Sequence, residues 1–242
     1  MERLFSYRVR RDKGAAPNPF WGPCTLVICK PQIRRAATVG DWVVSTGSAN
    51  SPVGDLSAHL VYAMRVSRKL TMREYGLFAR EHCPGKIPDW SNPDPLRRLG
   101  DAIYDFSFDP PRVRKSVHTE AHRARDLGGR HAMISDRFYY FGREAPRLPQ
   151  HLLGLVPGGR AYQSDANQGL LRPFLDWLDW QGWQPNQLYG APQVRLPAGV
   201  AAEVCGPVLC PPGGRGRERP TGPDCGALGR PARGGGACSG GC

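Results

Sequence analysis

Apolar and polar positions alternate with a period of two in several short runs, and that period marks strands. From Leu4 to Val9, Leu4, Ser6 and Arg8 fall on one face and Phe5, Tyr7 and Val9 on the other. Thr25 to Cys29 is an unbroken apolar run that reads as a second strand, ended by Lys30-Pro31. Trp42 to Thr46 follows the turn signal Gly40-Asp41 and is β-rich by composition. His59 to Arg68 places Leu60, Tyr62, Met64 and Val66 opposite Val61, Ala63 and Arg65. Both faces are mostly apolar as far as Arg65, which predicts a central strand. Between these two strands, Gly47 to Ser57 consists mainly of turn-forming residues and reads as a polar loop. The last β-structure is expected at Ala132–Ser135 and Phe138–Phe141. There Phe138 and Tyr140 oppose Tyr139 and Phe141, so at least one tyrosine is expected to face a cavity or solvent.

Helical spacing is sparser. Gln32 to Ala37 can form one or two turns, and Thr71-Met72-Arg73-Glu74 is a capping box that starts a helix at about Met72. That helix should pack on the sheet through Met72, Tyr75 and Leu77 or Phe78. Leu171, Phe174, Leu175 and Leu178 recur at i, i+3, i+4 and i+7, with Trp177 beside them and Pro173 near the start of the regular part. From Ala79 to about Gly129 the period is lost among six prolines, a pattern expected of a long irregular insertion. Short helices are expected within it at Pro95–Leu99 and around Thr119–Leu127. The elements predict one α+β domain over residues 1–190: a mixed β-barrel or strongly curved sheet with a few peripheral helices. The ordered fold is expected to end near Trp183. Residues 191–242 are rich in Gly, Pro, Arg and Cys and too poor in large apolar side chains to offset the entropy of ordering, so they read as a disordered tail.

Charge adds a class of partner. The formal net charge is +12, of which the tail from Gln193 contributes six arginines against three acidic residues, leaving +9 on the body. A basic body favours nucleic acid or a modified nucleotide, through release of counterions from phosphates; a generic arginine-rich surface is the other reading. The rigid loop DKGAAPNPFWGPC offers Asn18, Phe20 and Trp21, an amide and two aromatic faces that either hold a planar base or pack on the core. Thr46 and Ser48 at the polar loop are candidates to read a base edge, and Tyr140 to stack on it. Arg34, Arg35 and Arg65 are candidates for phosphate, or else a solvated face. An enzyme that modifies or removes a nucleobase is the alternative, with Asp41, Glu74, Asp136 and Tyr140 as candidate groups but no paired carboxylates, nucleophile elbow or phosphate loop at telling spacing. A scaffold for other proteins of a modification complex is a third.

Metal chemistry finds little support in the spacing. Cys24 and Cys29 flank what reads as a strand, Cys83 stands alone, and the five tail cysteines contain no CxxC. His118, Glu120 and His122 form HTEAH rather than HExxH, so a solvated helix face is the better reading there. No metal or other cofactor is therefore expected, and the cysteines are expected as reduced thiols. No run of eighteen apolar residues exists, and MERLFSYRVRRDK lacks the apolar core of a secretory signal, so the sequence predicts a cytoplasmic protein without a membrane span.

Several stretches, LFSYRVRRDKGAAPNPFWGPCTLVICKPQIRR, VGDWVVSTGS, LVYAMRVSRKLTMREY and ISDRFYYFGREAPRLP, resemble in order the bacterial family called nucleotide modification associated domain 2. The resemblance runs from Met1 to about Trp183. It implies a link to DNA base modification or defence systems, without assigned catalytic residues. The order of basic turn, Gly-Asp, strand, loop, long strand and helix is also similar to the PUA-like group that includes the EVE and ASCH domains, which are small β-barrels that read modified bases. The tail has no counterpart in either.

Overall fold

A computed structural model describes residues 2–159 and 162–194 and the backbone of 206–207. The tail expected to be disordered lies almost wholly outside the described residues. Strand β1 (Leu4–Arg8) pairs in parallel with β3 (Trp42–Thr46), in register from Leu4 opposite Trp42 to Arg8 opposite Thr46. Parallel neighbours need a crossover, and here it contains β2 (Cys24–Leu26) and helix α1 (Pro31–Ala36). The expected second strand thus ends three residues early, and Cys29 lies in the turn that follows it.

The expected long strand is two strands. Strand β4 (Leu60–Arg65) pairs antiparallel with β3, and β5 (Arg68–Thr71) continues beyond a break at Val66-Ser67. The same break recurs in the partner: β8 (His131–Ser135) pairs with β5, and β9 (Arg137–Tyr140) with β4. Ser67 joins the two breaks, its N–H donating to Ile134 O at 2.8 Å and its hydroxyl accepting from Asp136 N at 2.9 Å. Each long run therefore serves two sheets. The larger has the order β1-β3-β4-β9-β10-β11, where β10 (Gln187–Leu188) is parallel to β9 and antiparallel to the two-residue β11 (Gly206–Pro207); the smaller is β2-β8-β5. The described strands form a mixed α+β fold with several sheets and no closed barrel.

As expected, β4 is central and its apolar residues are buried on both faces. Helix α2 (Met72–His82) starts at the Thr71/Glu74 capping box and covers the smaller sheet with Met72, Tyr75 and Ala79, while Leu77 is left half-exposed. Helix α4 (Leu171–Trp180) closes the larger sheet with Phe174, Trp177 and Leu178, and Phe174 meets Trp42 edge-on at 6.2 Å. Each such ring contributes about 1.5–3 kcal/mol by burial. Order continues past Trp183: Tyr189 stacks on Phe141 at 5.3 Å, and Val194 donates to Asp12 O.

Tyr139 and Tyr140 are both buried, against the expectation that one would face a cavity or solvent. The loop after β1 covers the sheet there, and the Tyr140 hydroxyl donates to Asp12, whose other carboxyl oxygen accepts from Gly14 N. Burial dominates the Asp12 environment and raises its pKa to about 6 despite those two bonds. The expected insertion is an ordered cover. It holds 3-10 turns at Pro84–Lys86, Pro95–Leu99 and Glu120–His122, a small ladder of β6 (Tyr104–Asp105) with β7 (Arg112–Val113), and helix α3 (Arg123–Leu127).

Candidate functional site

Between β2 and α1 the chain reverses within two residues, and both take the left-handed conformation: Cys29 at φ 58° and Lys30 at φ 41°. For side chains other than glycine this costs about 1–2 kcal/mol each and persists only where the surroundings impose it. Here the Cys29 N–H donates to Asp126 Oδ1 at 2.9 Å, and the Cys29 carbonyl accepts from Arg34 Nε at 2.8 Å. Pro31 then opens the helix with its φ already set. The strained turn delivers the Cys29 thiol to His118, with Sγ 3.4 Å from Nε2.

The other ring nitrogen of His118 donates to Asp126 Oδ2 at 2.5 Å. That carboxylate is fully buried and also accepts from the Tyr104 hydroxyl at 3.0 Å, so together with the Cys29 amide both of its oxygens are engaged. Burial works against charge on His118, but the hydrogen bonds and charges of Asp126 and Cys29 outweigh it and raise the His118 pKa to about 9. Burial also works against the Asp126 anion, and the bonds from His118 and the Cys29 amide reverse that, holding its pKa below the ordinary carboxylate value. The imidazole of His122 stacks on that of His118, with centroids 4.4 Å apart and planes at 14°. Cysteine, histidine and carboxylate thus stand in the order required for a nucleophile, a base and an orienting group. The same three side chains offer sulfur, nitrogen and oxygen atoms within 4.8 Å of one another, a set that zinc accepts.

Arg34 holds the assembly from below. It is fully buried and donates to the carbonyls of Cys29, Asp126 and His131, the last at 2.9 Å, and touches Met72 Sδ at 3.5 Å. Burial lowers its pKa to about 10, against the pull of Asp126. Above the thiol opens a pocket of about 270 Å3 lined by Cys29, Lys30, Pro31, Gln32, Ile33, Arg125 and Tyr162.

The candidates named from sequence do not converge here. Asn18 is buried, and its amide is consumed: Nδ2 donates to Leu99 O, and Oδ1 accepts from Phe20 N and from the buried Lys86. Phe20 is in the core against Tyr140 at 6.2 Å, and Trp21 is half-buried under the Arg97 guanidinium. Thr46 is buried in β3, and Ser48 accepts from Asn50 N within its own loop. Arg34 and Arg35 point apart, the first into the site's floor and the second to solvent, so they form no phosphate clamp. Arg65 pairs with Glu2 at 2.5 Å. Of the acid candidates, Asp41 is held by Arg3 and by the backbone and hydroxyl of Thr38, Glu74 completes the helix cap, and Asp136 is exposed near Arg68.

Sequence reasoning assigned Cys29 to a strand and His118 to a solvated helix face, and it did not consider Asp126. Both assignments are corrected here: Cys29 sits in a left-handed turn, and the His118 side chain is 11 % exposed. The one local signal was the stop imposed by Lys30-Pro31 immediately after the cysteine. Neither a curated protein nor a solved structure matches the chain. The family model of nucleotide modification associated domain 2 matches residues 1–197, and the chain belongs to that family.

Proposed function

We propose that the chain is a thiol enzyme of nucleotide modification, in which Cys29 is the nucleophile, His118 the proton carrier and Asp126 the orienting group. The observation that carries this is the placement of Cys29 Sγ 3.4 Å from one nitrogen of His118 while the other donates to buried Asp126. Both Asp126 oxygens are already hydrogen-bonded, which supports an orienting role over metal ligation. The chemistry it suits is acyl transfer on a carbonyl group attached to a nucleotide or base. With the proton shared between Sγ and Nε2 resting on His118, as its raised pKa requires at neutral pH, sulfur attacks the carbonyl carbon; the C–S bond forms and the carbonyl π pair moves to oxygen. The pair returns, the bond to the nitrogen or oxygen leaving group breaks, and His118 gives that group its proton. Water then loses a proton to His118 and attacks the thioester, the C–S bond breaks, and the proton stays on His118 beside the freed sulfur.

A charge of +9 on the body supports nucleic acid or a nucleotide as the carrier of that carbonyl. The two long runs shared by both sheets support a strongly curved, PUA-like arrangement under it. The test combines reactivity with turnover. Iodoacetamide at pH 7, followed by peptide mapping, is expected to alkylate Cys29 faster than it alkylates glutathione, with His118→Gln slowing the reaction. Hydrolysis of N-acylated deoxynucleotides is expected to disappear in Cys29→Ser. A Cys29 rate no higher than that of glutathione overturns the proposal.

A further inference from the structure

The pocket beside Cys29 contains two cationic side chains, Lys30 and Arg125, and no carboxylate in its lining. Lys30 is half-buried, and among the described residues it has no acidic partner. Its ammonium donates to Arg8 O at 3.2 Å and lies 4.1 Å above the ring of Tyr7. Burial pulls its pKa down, as expected for a cation whose counter-charge has to come from elsewhere. Arg125 lines the same pocket and is half-exposed, its Nε 3.7 Å from Asp126 Oδ1. Tyr162 adds a partly buried ring, packed against Phe5 at 5.8 Å.

We infer that this pocket binds a phosphate-bearing nucleotide, with the phosphate between Lys30 and Arg125 and the base against Tyr162. The inference deepens the thiol-enzyme reading by naming the group that brings a substrate to Cys29. A phosphate supplies the charge that Lys30 lacks, and a guanidinium and an ammonium in one pocket lining can give charge-assisted bonds to its oxygens. A volume of about 270 Å3 is of the size of a single nucleotide. The carbonyl that Lys30 holds belongs to Arg8, and the exposed Arg10 and Arg11 follow in the chain.

The experiment is calorimetric titration of the full chain carrying Cys29→Ser, which keeps the pocket and removes the chemistry. Its titrants are the four deoxynucleoside 5′-monophosphates, the matching nucleosides, and 5′-phosphorylated dinucleotides, at two salt concentrations. At least one monophosphate is expected to bind about tenfold or more tightly than its nucleoside, with affinity falling as salt rises. Arg125→Met, on the surface, and Lys30→Met are each expected to weaken binding about tenfold, with unchanged thermal melting of Arg125→Met serving as the fold control. Equal binding of mononucleotide and dinucleotide supports a free nucleotide as the source of the phosphate, and tighter dinucleotide binding supports a strand. Nucleosides that bind as well as monophosphates, no binding of any phosphate compound, or no effect of Arg125→Met overturns the inference. None of these outcomes alters the alkylation result at Cys29, so the two readings fail separately.

Discussion

Asp126→Asn isolates what the carboxylate does for His118. In the native protein the His118 pKa is about 9 against an ordinary 6.5. At 1.36 kcal/mol per pH unit, that gap corresponds to roughly 3 kcal/mol of preference for the charged ring. One edge of the imidazole borders solvent, so screening reduces the expected effect to about 2 kcal/mol. The sign follows from linkage: a raised histidine pKa contributes stability that is fully present below pH 6.5 and is lost as pH rises through 9. With asparagine the anion is gone and burial remains, so the His118 midpoint should fall to 6.5 or below, and the stability slope between pH 6.5 and 9 should flatten. The assay is an NMR titration of the histidine Hε1 resonances, with His118 assigned by its disappearance in His118→Gln and stability followed by urea unfolding at pH 6 and pH 9. The alkylation rate of Cys29 at pH 8 should drop in the same variant. A native His118 midpoint within half a pH unit of 6.5, or one that Asp126→Asn leaves in place, refutes the reasoning.

Other positions give independent checks. Asp12 has its pKa raised to about 6 from 3.8, so folding is unpenalised below pH 3.8 and loses about 3 kcal/mol as pH rises through 6; Asp12→Asn should remove that loss, measured as the difference in urea unfolding between pH 4 and pH 7. Arg34→Met leaves the carbonyls of Cys29, Asp126 and His131 without their donor and should destabilise the fold by about 3–5 kcal/mol, read as a fall in Tm. Gly129→Ala would place its Cβ 2.2 Å from the Arg34 guanidinium, which is locked by those same carbonyls; it should cost about 1–3 kcal/mol and slow Cys29 alkylation, whereas alanine at Gly158, which meets nothing, should do neither.

Much of the fold was legible because its signals are local. β3 and β4 announce themselves by period and composition, α2 by the Thr71/Glu74 box, and α4 by the stripe from Leu171 to Leu178. The break at Val66-Ser67 was not legible, because no glycine or proline marks the passage from the buried β4 to the more exposed β5, and the chain stays extended on both sides of it. The site was hidden for a different reason. Cys29 lies 89 residues from His118 and 97 from Asp126, and the latter two sit where hydrophobic period is absent, so no window of sequence contains the constellation. The loop candidates failed through burial: an amide and aromatics on a rigid loop have the same composition whether they face a ligand or a core. Asn18 was claimed by Lys86, which belongs with Thr25, Tyr75 and Asp101 to one buried polar network.

The reach of Arg34 bears on when the arrangement around Cys29 can assemble during synthesis of the chain. Cys29 and Arg34 leave the ribosome early, while two of the carbonyls that Arg34 holds belong to Asp126 and His131. Until roughly the first half of the chain has emerged, the cysteine has no base beside it, and the left-handed turn has nothing to enforce it. The nascent polypeptide therefore carries Cys29 without its partners, and the Cys29–His118–Asp126 arrangement forms only when the segment between α2 and β8 closes over the turn.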